Sequence, residues 1–159
     1  MNETRPARFR QSHGLRLFFV LLAASLTAAA GQQESVEQLK SRLASVGAQQ
    51  CPDLCIQIAA RQLDAAHKLY IAGESEQAKA AVDDVSAYSE QARDAAVKTG
   101  RRQKETEIMV RRMAYRLVDI KRAVSVEEQG AVQSAIERLQ RVRDDLLAAM
   151  FAKKPKGPK

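Results

Sequence analysis

Apolar residues in this chain recur at intervals of three and four, and the pattern is interrupted at Gly47, Gly73, Gly100 and Ser125. That spacing follows the 3.6-residue turn of an α-helix and not the two-residue period of a strand. The chain is therefore limited to helices joined by short turns. The intervening residues agree: Ala, Gln, Glu, Arg and Leu dominate, and these lose little side-chain freedom in a helix. Strand-like alternation and Asn-Gly or Asp-Gly hairpin pairs are missing. The fold class is all-α.

Five helices are predicted. The first runs from Glu34 to Val46, with Val36, Leu39, Leu43 and Val46 on one face, and Gly47 ends it. A linker, Gly47 to Gln50, leads to the second helix, Cys51 to Ala72. There Pro52 opens the first turn, where its missing N–H costs nothing. Its inward arc is Leu54, Ile58, Ala59, Leu63, Ala66, Leu69 and Tyr70. Ser75 is the expected N-cap of a third helix reaching Thr99, with a small inward face of Ala78, Ala81, Val82, Val85, Tyr88, Ala92, Ala95 and Ala96. The fourth spans Arg102 to Val124, unless one kinked helix passes through Gly100. The Ser125-Val126-Glu127-Glu128 string is a capping box. It opens a fifth helix reaching Phe151, whose face is Val132, Ala135, Ile136, Leu139, Val142, Leu146 and Met150. Glu137–Arg141 and Arg141–Asp145 are spaced for pairing on its solvent side. Short connections imply antiparallel neighbours. The expected architecture is an antiparallel bundle of four main helices over 51–152, with the first helix and its linker, 31–50, as an accessory.

Residues 1–30 stand apart from this pattern. Arg5, Arg8, Arg10 and Arg16 face only Glu3; Leu17 to Leu26 are apolar; Ala28, Ala29 and Ala30 are small. This is the three-part form of a secretory signal peptide, with cleavage expected between Ala30 and Gly31. An uncleaved anchor would need about 20 apolar residues to span a bilayer, and Leu17 to Ala30 supplies 14. Removing 30 of the 159 residues leaves 129, the size of one domain. The expected location is periplasmic or secreted.

The leader also reinterprets the charge. The whole chain carries +7, but the leader holds +3 of it, and Lys153, Lys154, Lys156 and Lys159 hold +4. The part between is neutral, so the basic balance does not indicate a nucleic-acid partner. The tail from 153 to 159 contains two prolines and a glycine and is read as disordered. It could make a weak contact with an anionic surface.

Cys51-Pro-Asp-Leu-Cys55 is the most specific short string. Export favours its oxidation to a disulfide. Cys51 at the helix start eases the bridging of residues four apart, and a loop this short gives little stabilisation. CPDLC also resembles the CxxxC of Sco-type copper chaperones. That resemblance implies copper held by the two thiolates and a distant His. It covers these five residues only, without the strand and glycine-aromatic context of that thioredoxin-like family. His67, the one His beyond the leader, lies roughly 18 Å from Cys55 along the same helix at the usual rise per residue, too far to share a metal. A helix N-terminus lowers a thiol pKa, which keeps a redox role open. A haem would pair His67 with Met109 or Met113, yet both methionines fall at core spacing and no Cys-x-x-Cys-His is present. No cofactor is expected.

Nor is a catalytic set. The chain lacks a Gly-rich phosphate loop, an HExxH and a nucleophile with a suitably spaced His. The pairs Asp83-Asp84, Glu127-Glu128 and Asp144-Asp145 are sequence neighbours, which do not face one another on a helix.

The fourth helix is apolar on two sides. Met109, Met113, Leu117, Ile120 and Val124 form one stripe; Ile108, Tyr115 and Val118 form another, flanked by Lys104, Arg111 and Arg122. Either the helix is central and touches two neighbours, the first helix included, or its second side is a partner site. Candidate partner contacts are Ile108, Arg111, Tyr115, Val118 and Arg122, because Tyr and Arg are favoured anchors.

Leu69 to Val82, LYIAGESEQAKAAV, resembles the middle of a tetratricopeptide repeat, with Gly73, Ala78 and Val82 at the family's spacing. The resemblance implies close helical-hairpin packing through Ala78. It covers one hairpin, whereas arrays need about three repeats. The whole chain is similar to small, helical, secreted bacterial proteins of unassigned function. The sequence thus predicts an exported, non-enzymatic helical protein that acts through a protein partner in the cell envelope. The alternative is a copper or thiol-redox carrier using Cys51 and Cys55.

Overall fold

A computed structural model of the chain describes residues 34–47 and 50–152. The cleavage position at Ala30 and Gly31, the leader and the 153–159 tail lie outside the described residues. Five helices make up the described part, α1 (Val36–Ser45), α2 (Cys51–Ile71), α3 (Ser75–Thr99), α4 (Gln103–Ala123) and α5 (Val126–Phe151), with no strand among the described residues.

Local chemistry sets their ends. Ser35 caps α1: its Oγ accepts from the Gln38 N–H at 3.2 Å, and Gln38 Oε1 accepts from the Ser35 N–H at 2.8 Å. At the end of α2 the Gly73 N–H donates to the Tyr70 carbonyl and the Glu74 N–H to the Leu69 carbonyl. This is a Schellman closure that places Gly73 at φ +76°. It moves the cap expected at Ser75. Because Glu74 is consumed in closing α2, it becomes the N-cap residue and Ser75 is the first residue of α3. The Ser75 hydroxyl instead donates to Glu128 of α5. Gly100 at φ +65° ends α3, and Arg102 at φ +61° reverses the chain a second time. Two left-handed residues make α3 and α4 separate helices rather than one kinked helix. At the start of α5, the Glu128 carboxylate accepts from the Ser125 N–H at 3.0 Å and from its hydroxyl at 2.9 Å.

The helices pack as a bundle, with α2 against α3, α4 against α5 and α3 against α5, and lesser contacts of α2 and α3 with α4. One core cluster draws from these four helices and includes Leu63, Val82, Val85, Leu117, Leu139 and Leu146, all fully buried. Burying each such side chain contributes about 1.5–3 kcal/mol. Ala78, Ala92 and Ala96 are fully buried on α3, the small face read from the sequence. Tyr88 and Ala95 are only half-buried. Ser86 and Ser89 take up buried positions there, their hydroxyls donating to the carbonyls of Val82 and Val85 one turn back.

A second cluster, Leu39 with Leu54 and Ile58, holds α1 on α2. Lys40 extends from α1 to α3, 3.1 Å from Asp84 and 5.6 Å from the centre of the Tyr88 ring. Other polar pairs cross between helices. Arg138 donates twice to Glu90, at 2.8 and 2.9 Å, and Arg93 meets Asp145 at 2.8 Å. Asp145 is thus engaged across the bundle rather than with Arg141, and Glu137 accepts from Gln133. No described helix is long and apolar enough to cross a membrane.

Candidate functional site

The second apolar side of α4 is partly open: Tyr115 is exposed, and Ile108 and Val118 are half-buried. α1 packs on α2 and reaches α3 through Lys40, but it does not lie against α4. The expectation that the first helix covers this side is corrected: the Leu39–Leu54–Ile58 cluster fixes α1 elsewhere. Tyr115 is 68% exposed as a result.

Of the five candidate contact residues, the structure gathers three. Arg111, Tyr115 and Val118 line a shallow groove of about 130 Å³ together with Ala114 of α4 and Ile136, Leu139, Gln140 and Arg143 of α5. Ile108 is half-buried outside this groove, and Arg122 is a solvent-facing side chain paired with Asp119 at 3.2 Å. The core face of α4 is the expected stripe, widened by residues beside it. Thr106, Val110, Met113, Leu117 and Ile120 are buried, while Met109 and Val124 are only half-buried.

Two of the groove's residues, Arg111 and Arg143, meet a residue the sequence reading missed. Glu107 is 6% exposed; its carboxylate accepts from Arg143 Nε at 2.8 Å and stands 3.8 Å from Arg111. One buried carboxylate therefore holds Arg143 by a hydrogen bond and lies close to Arg111. The Glu107–Arg111 spacing of four was the available signal. The partner across the bundle, Arg143, was not readable before the α4–α5 register was known.

The CPDLC motif folds into the first two turns of α2. Cys51 is half-buried, Cys55 is fully buried, and both are free thiols with Sγ atoms 3.4 Å apart. Burial, reinforced by the contact with Cys51, pushes the Cys55 thiol far above its ordinary range. Cys55 is thus shut away from solvent, and Cys51 is the thiol that solvent can reach. Asp53 between them faces Arg102 at 2.9 Å.

His67 is exposed and sits beside Arg116, Asp119 and Ile120 of α4, whereas Met113 is buried in the core and Met109 packs against it. Among the described residues no group of three or more His, Cys, Asp or Glu side chains could hold a metal ion. The adjacent carboxylates diverge: Asp84 serves Lys40 while Asp83 is exposed, and Glu128 caps α5 while Glu127 is exposed. Gly73 occupies the α2–α3 turn, and Ala78 and Val82 are fully buried where α3 meets α2.

The Tyr70 hydroxyl is buried without a hydrogen-bond partner among the described residues. Burial and the nearby carboxylates of Glu128 and Asp83 raise its pKa. It borders a hollow shared with His67, Ile71, Val124 and Glu128.

No family model, curated protein or solved structure matches this chain.

Proposed function

We propose that this chain is an exported, non-enzymatic helical protein of the cell envelope that acts by binding another protein through the α4–α5 groove. The observation that carries the reading is Tyr115, an exposed aromatic beside an apolar floor of Val118, Ile136 and Leu139, flanked by Arg111 and Arg143. An apolar floor between two guanidinium groups fits an apolar side chain with a neighbouring carboxylate. Export rests on the three-part leader, and the neutral mature domain accords with a protein partner.

The architecture proposed for this function is an antiparallel, up-down bundle of α2 to α5 with α1 as an accessory. Cross-helix pairs support it. Between α4 and α5, Glu107–Arg143 and Lys121–Gln133 run in opposite order. Between α2 and α4 with its N-cap Arg102, Asp53–Arg102 and Asp64–Arg116 run in the same order, as do Glu90–Arg138 and Arg93–Asp145 between α3 and α5. Alternating helices are therefore parallel and the α4–α5 neighbours opposed.

A photo-reactive residue at position 115 tests the binding reading in intact cells, with position 57 on exposed α2 surface as control. A discrete adduct from 115, absent from 57 and lost with Val118→Asp, is expected. Equal labelling from both positions, or none from 115, rejects the groove.

The alternative, a copper or thiol-redox carrier, is favoured by one observation: the 3.4 Å approach of the two thiols. Mass spectrometry of the exported protein separates the possibilities. A chain two hydrogens lighter than the reduced form and free of metal excludes copper and supports a Cys51–Cys55 disulfide; a copper-loaded dithiolate displaces the binding reading.

A further inference from the structure

Two guanidinium groups converge on one atom. Arg143 Nε of α5 and Arg111 Nε of α4 stand 2.8 and 3.8 Å from the same Glu107 oxygen. Among the described residues, Glu107 accepts from one of the five donors of Arg143 and makes no hydrogen bond with Arg111. Two arginines and one glutamate leave an excess of one formal positive charge at this contact. The other acids nearby are engaged elsewhere or stand in solvent. Asp64 holds Arg116, Asp119 holds Arg122 and Glu137 accepts from Gln133. Asp144, exposed and next to Arg143 in α5, acts on it through charge alone. One helical turn along α4 from Arg111 lie Ala114 and Tyr115, and then Val118. Ala114 and Val118 are half-buried, and Tyr115 is exposed. The hollow these residues share is about 130 Å³, far below the roughly 300–1,000 Å³ of pockets for drug-sized ligands. It has room for one aliphatic side chain and not for a helix.

We propose that this groove takes the carboxyl terminus of a partner polypeptide that ends in an aliphatic residue. The terminal carboxylate lies against Arg111 and Arg143, and the last side chain lies on Ala114 and Val118 beside the Tyr115 ring. The proposal rests on the binding reading above and names the chemistry of its partner. Spacing selects a terminus over an internal acid. Residues three apart on a helix have Cβ atoms about 5–6 Å apart, so Arg111 and Ala114 offer a cation and an apolar contact within that distance. A C-terminal residue carries its carboxylate and its side chain on one Cα and reaches both at once. In an extended internal segment, an acid and its apolar neighbour point to opposite faces. Charge agrees with spacing. One carboxylate brings the two guanidinium groups and Glu107 to neutrality, and guanidinium forks bind carboxylates through paired N–H donors.

NMR titration of the isotopically labelled full chain with the peptide acetyl-Gly-Ser-Gly-Leu, as free acid and as carboxamide, tests the proposal. The free acid is expected to shift the Arg111 and Arg143 Nε–H signals and the Ala114 and Val118 methyl signals together and to saturation. The carboxamide should bind at least about tenfold more weakly, and the free acid of acetyl-Gly-Ser-Gly-Gly severalfold more weakly. Arg111→Gln should abolish the preference for the acid. Arg112→Gln, at an exposed arginine of the same helix outside the groove, should keep it. Circular dichroism of both variants checks that the helices persist, and the comparison of acid with carboxamide stands on the parent chain alone. Equal binding of acid and carboxamide overturns the proposal. So does equal binding of acetyl-Gly-Asp-Leu carboxamide, whose acid is internal, or an equal loss of acid preference in the two arginine variants. If no peptide moves the groove signals, the proposal also fails. An adduct from position 115 in cells then shows that groove binding itself survives, and its absence shows that both readings fall.

Discussion

Two glycines show how differently one residue type acts. Gly100 holds φ +65°, and a Cβ there would meet nothing within 4 Å, so its only role is conformational. Gly100→Ala should therefore destabilise by about 1 kcal/mol through backbone strain alone. Gly130 lies inside α5 with equally open surroundings and no positive φ. Gly130→Ala should stabilise by about 0.5–1 kcal/mol, because it removes unfolded-state freedom from a helical position. Urea unfolding of the two variants reads opposite signs from the same substitution. At Glu90 the test is pH. The Arg138 guanidinium, bonded twice, holds its carboxyl below the ordinary 4.5. A carboxyl depressed on folding stabilises the protein fully above its unfolded pKa, and that contribution fades as pH falls through the lower folded value. Arg138→Met should cost about 0.5–1 kcal/mol at neutral pH, after discounting for partial exposure. The gap between variant and parent in thermal melting should close in acid.

At the scale of elements, the helix count and nearly every boundary were legible, because glycine stops, Pro52 and the Ser125 cap act through their own backbones. The displaced Ser75 cap was not, since its role depends on how α2 closes through Glu74. The full width of the α4 core face was not legible for a related reason. A hydropathy stripe ranks Met109 above Thr106 and Glu107, yet Glu107 is buried because Arg143 neutralises it from another helix. Periodicity locates the inward stripe of a helix, and cross-helix partners decide how far that stripe extends. The groove shows the same division. Arg111, Tyr115 and Val118 were readable from α4 itself, and Ile136 and Leu139 were read only as core, because nothing local to α5 tells that they border a surface. α1 gives the sharpest test at this scale. Ten residues are too few for a stable isolated helix, so α1 depends on Leu39 in the Leu54–Ile58 cluster. Leu39→Ala should cost about 2–3 kcal/mol of docking. In hydrogen exchange, residues 36–45 should lose protection while the amides of α3 to α5 keep theirs. Uniform loss across all helices would show instead that α1 is integral to the core.

For the whole molecule, the chain compensates for scarce aromatics by close approach. With Trp absent and seven Phe and Tyr in 159 residues, large side chains cannot fill a wide core, so small residues on α3 let its neighbours come near. Ala92 and Ala96 are both fully exposed-surface-free and share one cluster with Leu139, Val142 and Leu146 of α5. That dependence was visible in the sequence as an alanine-rich face. Which helices would use it was not, because α3 meets both α2 and α5. Ala92→Leu should therefore act unlike an ordinary gain of hydrophobic surface. Interiors are close-packed and added methylenes force side chains off their rotamers, so the variant should lose about 1–3 kcal/mol despite its better-burying side chain. The loss should appear as one cooperative transition at lower denaturant with an unchanged slope, since α2 to α5 share a single core cluster. A stabilised variant would mean that the space beside Ala92 is loosely filled. Two separated transitions would mean that the α2–α3 and α4–α5 pairs unfold independently and that the shared core does not bind them into one unit.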